Sequence, residues 1–270
     1  MINRSLPLAM NKKSKKIALE KRLRNCKNIV TLGVKPNFGD YSDSEASLIM
    51  SADKIYYPSI FYADLFNAMG KKFFPSHQTY LFAQNKIKQT AIFNLLKIPH
   101  PKTRIFYGKR QKLTITDYFE FPFIGKIPRG SAMGKGVCLI NNENDLAEYC
   151  SQSHVVYIQQ YLPSDRDIRV VIIGDNVVHA YWRIASPGEF RSNIAAGGSV
   201  SLKPVPAAAL EVALYTAKKC RWNDVGIDII RHDDKYYVLE ANMKYGKEGF
   251  RKFGIDYTDL MERLIEEKTI

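Results

Sequence analysis

The stretch Gly226-Ile227-Asp228-Ile229-Ile230, continued by Arg231-His232-Asp233-Asp234 and then Tyr237-Val238-Leu239-Glu240-Ala241-Asn242, reads as two strands joined by a tight turn. β-Branched and aromatic residues fill both runs, and the polar residues His232 to Asp234 interrupt them, which is the pattern of a hairpin. With the turn placed there, antiparallel pairing brings Asp228 opposite Glu240 or within a residue or two of it. Asn242 shares the face of Glu240 because side chains alternate along a strand. Two carboxylates and an amide oxygen then converge. Carboxylates set side by side among Ile, Val and Leu repel each other, and one tends to protonate unless a cation lies between them. Oxygen-only ligands of this kind suit Mg²⁺, which keeps several waters and shares its remaining positions with phosphates. The same residues also read as exposed charges on an ordinary hairpin, so the hairpin alone leaves both readings open.

Upstream of the hairpin the pattern is rich in strands: Arg104 to Tyr107, Phe121 to Ile127, Val137 to Ile140, Val155 to Tyr161, Ile168 to Ile173 and Val177 to Ile184. Gly174-Asp175-Asn176 joins the last two as a second hairpin. A helix follows from Pro206 to Cys220, and a final helix carries Leu260, Met261, Leu264 and Ile265 on one face. Towards the N-terminus, Ile29 to Val34 reads as a buried strand. Phe61, Leu65, Phe66 and Met69 fall at helical spacing with Gly70 to end the helix. A further helix from Asn85 to Lys97 sets Ile87, Ala91 and Leu95 on one stripe and stops before Pro99 and Pro101. The fold class is α+β, or mixed α/β.

Length, at 270 residues, allows a sizeable core in one large domain or two modest ones. No apolar run is long enough for a membrane span, and Met1 to Met10 lacks the core of a secretory signal, so the expected location is the cytoplasm. Cys26, Cys138, Cys150 and Cys220 are scattered and read as reduced, buried thiols. Net charge is +13, and residues 1–28 hold nine Lys or Arg against the single Glu20, leaving +5 for the remainder. Such a run either grips RNA or an anionic membrane or is a solvated tail, and the tail is the expectation here.

Two more segments carry chemistry. Phe123-Ile124-Gly125-Lys126 is followed by a loop with Gly130, Ser131, Gly134 and Gly136, and then by another strand. A loop of this kind can cover phosphates with backbone N–H groups while Lys126 supplies a point charge, although it also reads as a plain hairpin connection. It is not a P-loop, because the Gly-Lys-Ser/Thr ending is absent and a strand rather than a helix follows. Asp167, Arg169, Arg183 and Arg191-Ser192-Asn193 gather guanidinium groups on neighbouring strands and a loop. These either match phosphate and carboxylate oxygens or pair with nearby Asp residues at the surface.

In order along the chain, Asn85-Lys86, Phe123 to Lys126, the Gly130 to Gly136 loop and Ile158-Gln159-Gln160-Tyr161-Leu162 are followed by Asp167-Ile168-Arg169. Gly188 to Asn193, Gly197-Gly198, Gly226 to Ile229 and Leu239 to Asn242 complete the set. This ordered set resembles the ATP-grasp superfamily, and within it the RimK-like carboxylate-amine ligases. The resemblance covers roughly residues 85–256. It implies an ATP-grasp fold over 85–270, with a nucleotide lid lobe (85–161) and a catalytic, metal-binding lobe (162–270). Before it come a short pre-ATP-grasp α/β domain (29–84) and a basic tail (1–28).

The resemblance further implies that adenine lies at Gln160, Tyr161 and Leu162, that Lys86 and Lys126 hold phosphates, and that Gly130, Ser131, Gly134 and Gly136 belong to a lid. Asp167 falls at a nucleotide-contacting position. Arg169, Arg191 and Asn193 hold the γ-phosphate and an acyl phosphate, with Arg183 and Ser192 beside them. Asp228, Glu240 and Asn242 bind one or two Mg²⁺, for which Mn²⁺ can substitute. The implied activity is an ATP-dependent joining of a carboxylate to an amine, glutamate being the expected amine and a peptide tail or small molecule the acid. The rival is an ATP-binding interaction protein without turnover that engages RNA through its basic start. Self-association is left open. Gln160 stands where the family usually has Glu, and Met243-Lys244-Tyr245-Gly246 replaces a Ser-Pro-containing turn.

Overall fold

The computed structural model describes residues 16–128, 136–189 and 197–270. The chain divides into two compact units, one ending at Phe74 and the other spanning Pro75–Ile270.

In the first unit, β1 (Ile17–Ala18), β2 (Val30–Thr31), β3 (Ile55–Tyr56) and β4 (Phe73–Phe74) form a parallel sheet in the order β2-β1-β3-β4. Helices α1 (Asp43–Ser51) and α2 (Ile60–Ala68) supply crossovers that parallel strands require. Ser42 and Glu45 close a reciprocal capping box at the start of α1. Three sequence expectations shift here. The buried strand expected over Ile29 to Val34 is only Val30–Thr31, and Val30 and Val34 are exposed. Ile17, Ala18, Leu19 and Leu23 are fully buried, so part of the basic run read as a tail to residue 28 belongs to the core of this unit. An apolar patch within a lysine-rich context is enough to enter the sheet. On α2 the buried residues are Tyr62, Ala63 and Phe66, while Phe61, Leu65 and Met69 are exposed.

The second unit opens with α3 (His77–Phe82) and α4 (Lys86–Leu96), and α3 is tied to this unit because Ser76 N–H donates to Asn223 Oδ1 at 2.7 Å. Strands β5 (Thr103–Tyr107), β6 (Phe123–Lys126), β7 (Val137–Ile140) and β8 (Val155–Gln160) form an antiparallel sheet in the order β5-β8-β6-β7, with α5 (Gly108–Lys112) and α6 (Glu143–Ser151) between them in sequence. Phe106, Phe119, Phe123, Leu146, Val156 and Ile158 are among the residues of its core.

A larger antiparallel sheet follows. It consists of β9 (Arg166–Ile173), β10 (Asn176–Ile184), β11 (Ser199–Ser201), β12 (Asp224–His232) and β13 (Lys235–Asn242), in the order β11-β10-β9-β12-β13. Helix α7 (Ala207–Cys220) packs on this sheet, and α8 (Glu248–Lys252) and α9 (Tyr257–Glu266) close the unit. Leu260, Met261, Leu264 and Ile265 of α9 are all buried, as their spacing predicts. All four cysteines are free, Cys26 and Cys220 buried and Cys138 and Cys150 half-buried. No helix among the described residues is long and apolar enough to cross a membrane.

Candidate active site

The β12–β13 hairpin turns at Asp233 and Asp234, both with positive φ (45° and 59°), so that His232 pairs with Lys235. This tight turn carries the pairing up to Ile229 opposite Val238. A bulge then inserts Leu239, after which Asp228 lies opposite Glu240, and Gly226 opposite Asn242. Without that extra residue Asp228 would face Leu239; the bulge re-aims β13 so that both carboxylates share a face. Asn242 Nδ2 donates to Glu240 Oε1 at 2.9 Å.

Strand β9 flanks β12 on its other side and places Arg169 opposite Asp228. The Arg169 fork grips the carboxylate, Nε on Oδ1 and Nη2 on Oδ2 at 2.9 Å. Arg183, on β10 opposite Asp167, holds Asp167 through two bonds of 2.6 Å and reaches Asp228 Oδ2 at 2.8 Å. All four groups are buried. Burial works against the charge on Arg183, yet Asp167 and Asp228 more than offset it and raise its pKa. Arg169 Nη1 also donates to the Tyr245 carbonyl at 3.2 Å, and the Tyr245 hydroxyl donates to the fully buried Asp224 at 2.6 Å. Gly226 makes this possible: a Cβ there would lie 2.5 Å from Tyr245 Cβ.

Two lysines arrive from the smaller sheet and from α4. Asn85 caps α4 by accepting the Lys88 N–H. One turn further on, Gln89 bonds both the N–H and the C=O of Ala241 at 2.9 and 2.8 Å, as a neighbouring strand would. Lys86, three residues before Gln89 and therefore on the same helix face, reaches Glu240 Oε2 at 3.2 Å. Lys126 ends β6 and is buried beside Tyr157, 5.8 Å from its ring centre. The preceding Gly125 has Tyr149 beneath it, where a Cβ would come within 3.0 Å of the ring, and the Tyr149 hydroxyl donates to the Lys126 carbonyl at 2.6 Å.

Burial lowers the Lys126 pKa to about 8; Glu240 and Asp228 oppose that shift, and Lys86 adds to it. For Glu240 burial would raise the pKa, but Lys86 and Lys126, with the Asn242 amide, overcome it and hold the carboxyl at about 2.

The structure thus brings together Lys86, Lys126, Asp167, Arg169, Arg183, Asp228, Glu240 and Asn242. Gln160, Tyr161 and Leu162 run from β8 towards β9, where the Gln160 N–H bonds the Lys102 carbonyl rather than the charged cluster. Gly136 borders the glycine loop with a positive φ of 74°, and its carbonyl accepts the Ile127 N–H at 2.7 Å. Gly130, Ser131 and Gly134, like Arg191, Ser192 and Asn193, lie outside the described residues. Gln89 is not marked by the sequence pattern, whereas Tyr245 stands there only as part of the Met243–Gly246 turn, with no contact assigned to it.

Among the described residues no three His, Cys, Asp or Glu side chains form a metal cage. Asp228, Glu240 and Asn242 offer only oxygen donors, a sparse set that fits a hard divalent ion sharing its coordination with water and phosphate.

A four-stranded and a five-stranded antiparallel sheet, with lysines of one unit's helix and strand meeting carboxylates of its hairpin, define a chain of the ATP-grasp class. Solved structures agree on the fold. The RimK domain ATP-grasp protein from Sphaerobacter thermophilus superposes with a TM-score of 0.67 at 14% identity, covering 92% of this chain and 98% of that one. D-alanine–D-alanine ligase from Bacillus anthracis, complexed with ATP, gives 0.68 at 15% identity, over 93% and 95% of the two chains. The RimK-like ATP-grasp domain matches residues 83–265, and the chain belongs to that family. Ribosomal protein bS6–L-glutamate ligase of Escherichia fergusonii is 30% identical over 192 residues, 68% of this chain and 64% of that protein, so the match spans just under two thirds of the relative's length.

Proposed function

We propose that the protein is an ATP- and Mg²⁺-dependent carboxylate-amine ligase that works through an acyl phosphate and adds glutamate or a similar amino acid to a peptide or small-molecule carboxylate. The observation that carries this reading is the convergence of Lys86, Lys126, Arg169 and Arg183 on Asp228, Glu240 and Asn242. The name of the Escherichia fergusonii relative supports glutamate as the amine.

A carboxylate is a poor electrophile, so its oxygen first attacks the γ-phosphate and ADP leaves; the amine then displaces phosphate from the acyl phosphate. Lys86 and Lys126 hold the phosphate chain from the α4 and β6 side. Arg169 and Arg183, whose planar forks match phosphate and carboxylate oxygens, steady the transferred group from the β9 and β10 side. A Mg²⁺ on Asp228, Glu240 and Asn242 would neutralise charge as the phosphoryl group moves. Catalysis then rests on positioning and electrostatics, with no covalent enzyme intermediate. Gln160, Tyr161 and Leu162 are assigned to adenine, and the residues 130–136 and 191–193 to lid and phosphate contacts.

The test is ADP release from Mg-ATP across a matrix of acids and amines, with Glu240→Ala as control. Release that needs both an acid and an amine and disappears in the variant is expected. Release indifferent to either substrate, or unchanged in Glu240→Ala, would sink the proposal.

A further inference from the structure

We propose that the metal position is closed to a free divalent cation and opens only when a polyphosphate enters, with Arg169, Arg183 and Lys86 serving until then as resident counter-ions of its ligands. The inference rests on the ligase reading above and concerns how that site is loaded.

Every carboxylate oxygen that a metal would use already receives a donor. Asp228 Oδ1 accepts Arg169 Nε, and Oδ2 accepts Arg169 Nη2 at 2.9 Å and Arg183 Nη2 at 2.8 Å. Glu240 Oε2 faces Lys86 Nζ at 3.2 Å, and Oε1 accepts the Asn242 amide at 2.9 Å. Among the described residues the cluster sets Lys86, Lys126, Arg169 and Arg183 against Asp167, Asp228 and Glu240, with Asp224 behind Tyr245, so its carboxylates are already matched by resident cations. Most of these groups are buried, where charges act on each other far more strongly than in water.

A dication entering alone would add two positive charges to a cluster already balanced by its own cations and would have to strip guanidinium and ammonium groups from their carboxylates without offering them another partner. A triphosphate reverses both terms. It brings several negative charges, and its oxygens are the natural alternative acceptors for the two arginine forks and the lysine. As those donors turn to phosphate, Asp228 and Glu240 are released for the metal. By linkage, nucleotide and metal then tighten each other by the same factor.

The experiment titrates Mn²⁺ into the full chain, alone and with the non-hydrolysable analogue AMPPNP, and follows free Mn²⁺ by its EPR signal. AMPPNP binding in EDTA is measured by calorimetry. The expected result is measurable metal-free AMPPNP binding and, after subtraction of the Mn²⁺ that AMPPNP holds in a protein-free titration, Mn²⁺ binding to the protein alone weaker by about 100-fold or more than to the AMPPNP complex. Lys86→Gln, which removes one positive charge at a half-buried position and frees Glu240 Oε2, should gain nucleotide-independent Mn²⁺ affinity by about tenfold. Mn²⁺ bound equally well with and without AMPPNP would overturn the inference and leave the ligase reading standing, as would no gain in Lys86→Gln. Failure of AMPPNP to bind with or without metal would overturn both.

Discussion

At the scale of single residues, Lys126 is the group whose state a pH change exposes most directly. Burial brings its pKa down to about 8 from the usual 10.5, against the pull of Glu240 and Asp228. In the free protein the cost of keeping this ammonium buried is fully present below about pH 8 and is relieved as pH rises from there towards 10.5. A bound phosphate stabilises the charged form, so nucleotide affinity should be level below about pH 8 and fall above it by up to about tenfold per pH unit. A fluorescent ATP analogue titrated across that range measures this. Lys126→Gln should bind weakly and without the slope; a slope surviving in the variant would assign it to another group. Lys126 was legible in the sequence because a lone Lys ends an apolar strand ahead of a glycine loop. The pairing of Asp228 with Glu240 was legible only to within a residue, since the inserted Leu239 that decides it is an apolar residue in an apolar run and leaves no mark in the pattern.

At the scale of elements, the joint between α4 and the sheet edge matters most. Strand β13 is the outermost strand of its sheet on the β12 side, so its outward backbone groups need partners from elsewhere. Pro99 accepts the Val238 N–H at 2.8 Å, and Gln89 answers both polar groups of Ala241. The stripe expected from sequence, Ile87, Ala91 and Leu95, is not the buried one. Leu95 is 82% exposed, whereas Gln89, Thr90 and Phe93 face inward. Apolar spacing misleads here because α4 is docked by hydrogen bonds: Thr90 meets the Tyr157 hydroxyl at 2.8 Å, and Gln89 acts as a substitute strand. Gln89→Leu would leave a buried N–H and C=O unpaired, at a cost of about 2–5 kcal/mol, read as a lower urea midpoint. It should also release Lys86 from Glu240 and weaken ATP binding. A variant as stable as the parent would show that the helix is held by its apolar contacts after all.

At the scale of the whole molecule, the strands and helices that surround the site are legible in the sequence, because turn formers and proline mark their ends. Most of the first unit is not, because its two-residue strands are too short for any periodicity. Nor does the sequence pattern mark the way α8 closes the second unit. Gly249 of α8 packs so near β10 that a Cβ would lie 2.3 Å from Tyr181 Cε1, and His179 is enclosed by Tyr181, Phe250 and Phe253 at ring distances of 5.4, 4.2 and 5.5 Å. Among the described residues neither nitrogen of that ring has a hydrogen-bond partner. Burial, with Arg169 adding to it, lowers the His179 pKa to about 4 from the usual 6.5.

The unfolded chain therefore takes up a proton near pH 6.5 that the folded chain refuses until about pH 4. Stability should fall with pH across that window, by at most about 3 kcal/mol. Glu240 acts in a lower window: its depressed pKa gives stability that is present above 4.5 and lost as pH falls through about 2. Urea unfolding at steps from about pH 7 to about pH 4.5 separates the two, because of this pair only His179 changes its protonation there. His179→Phe keeps a ring among the aromatics and should remove most of that decline, leaving the variant the more stable protein at the acid end. An unchanged slope in His179→Phe would mean that the acid sensitivity arises elsewhere and that α8 tolerates a charged imidazole beneath it.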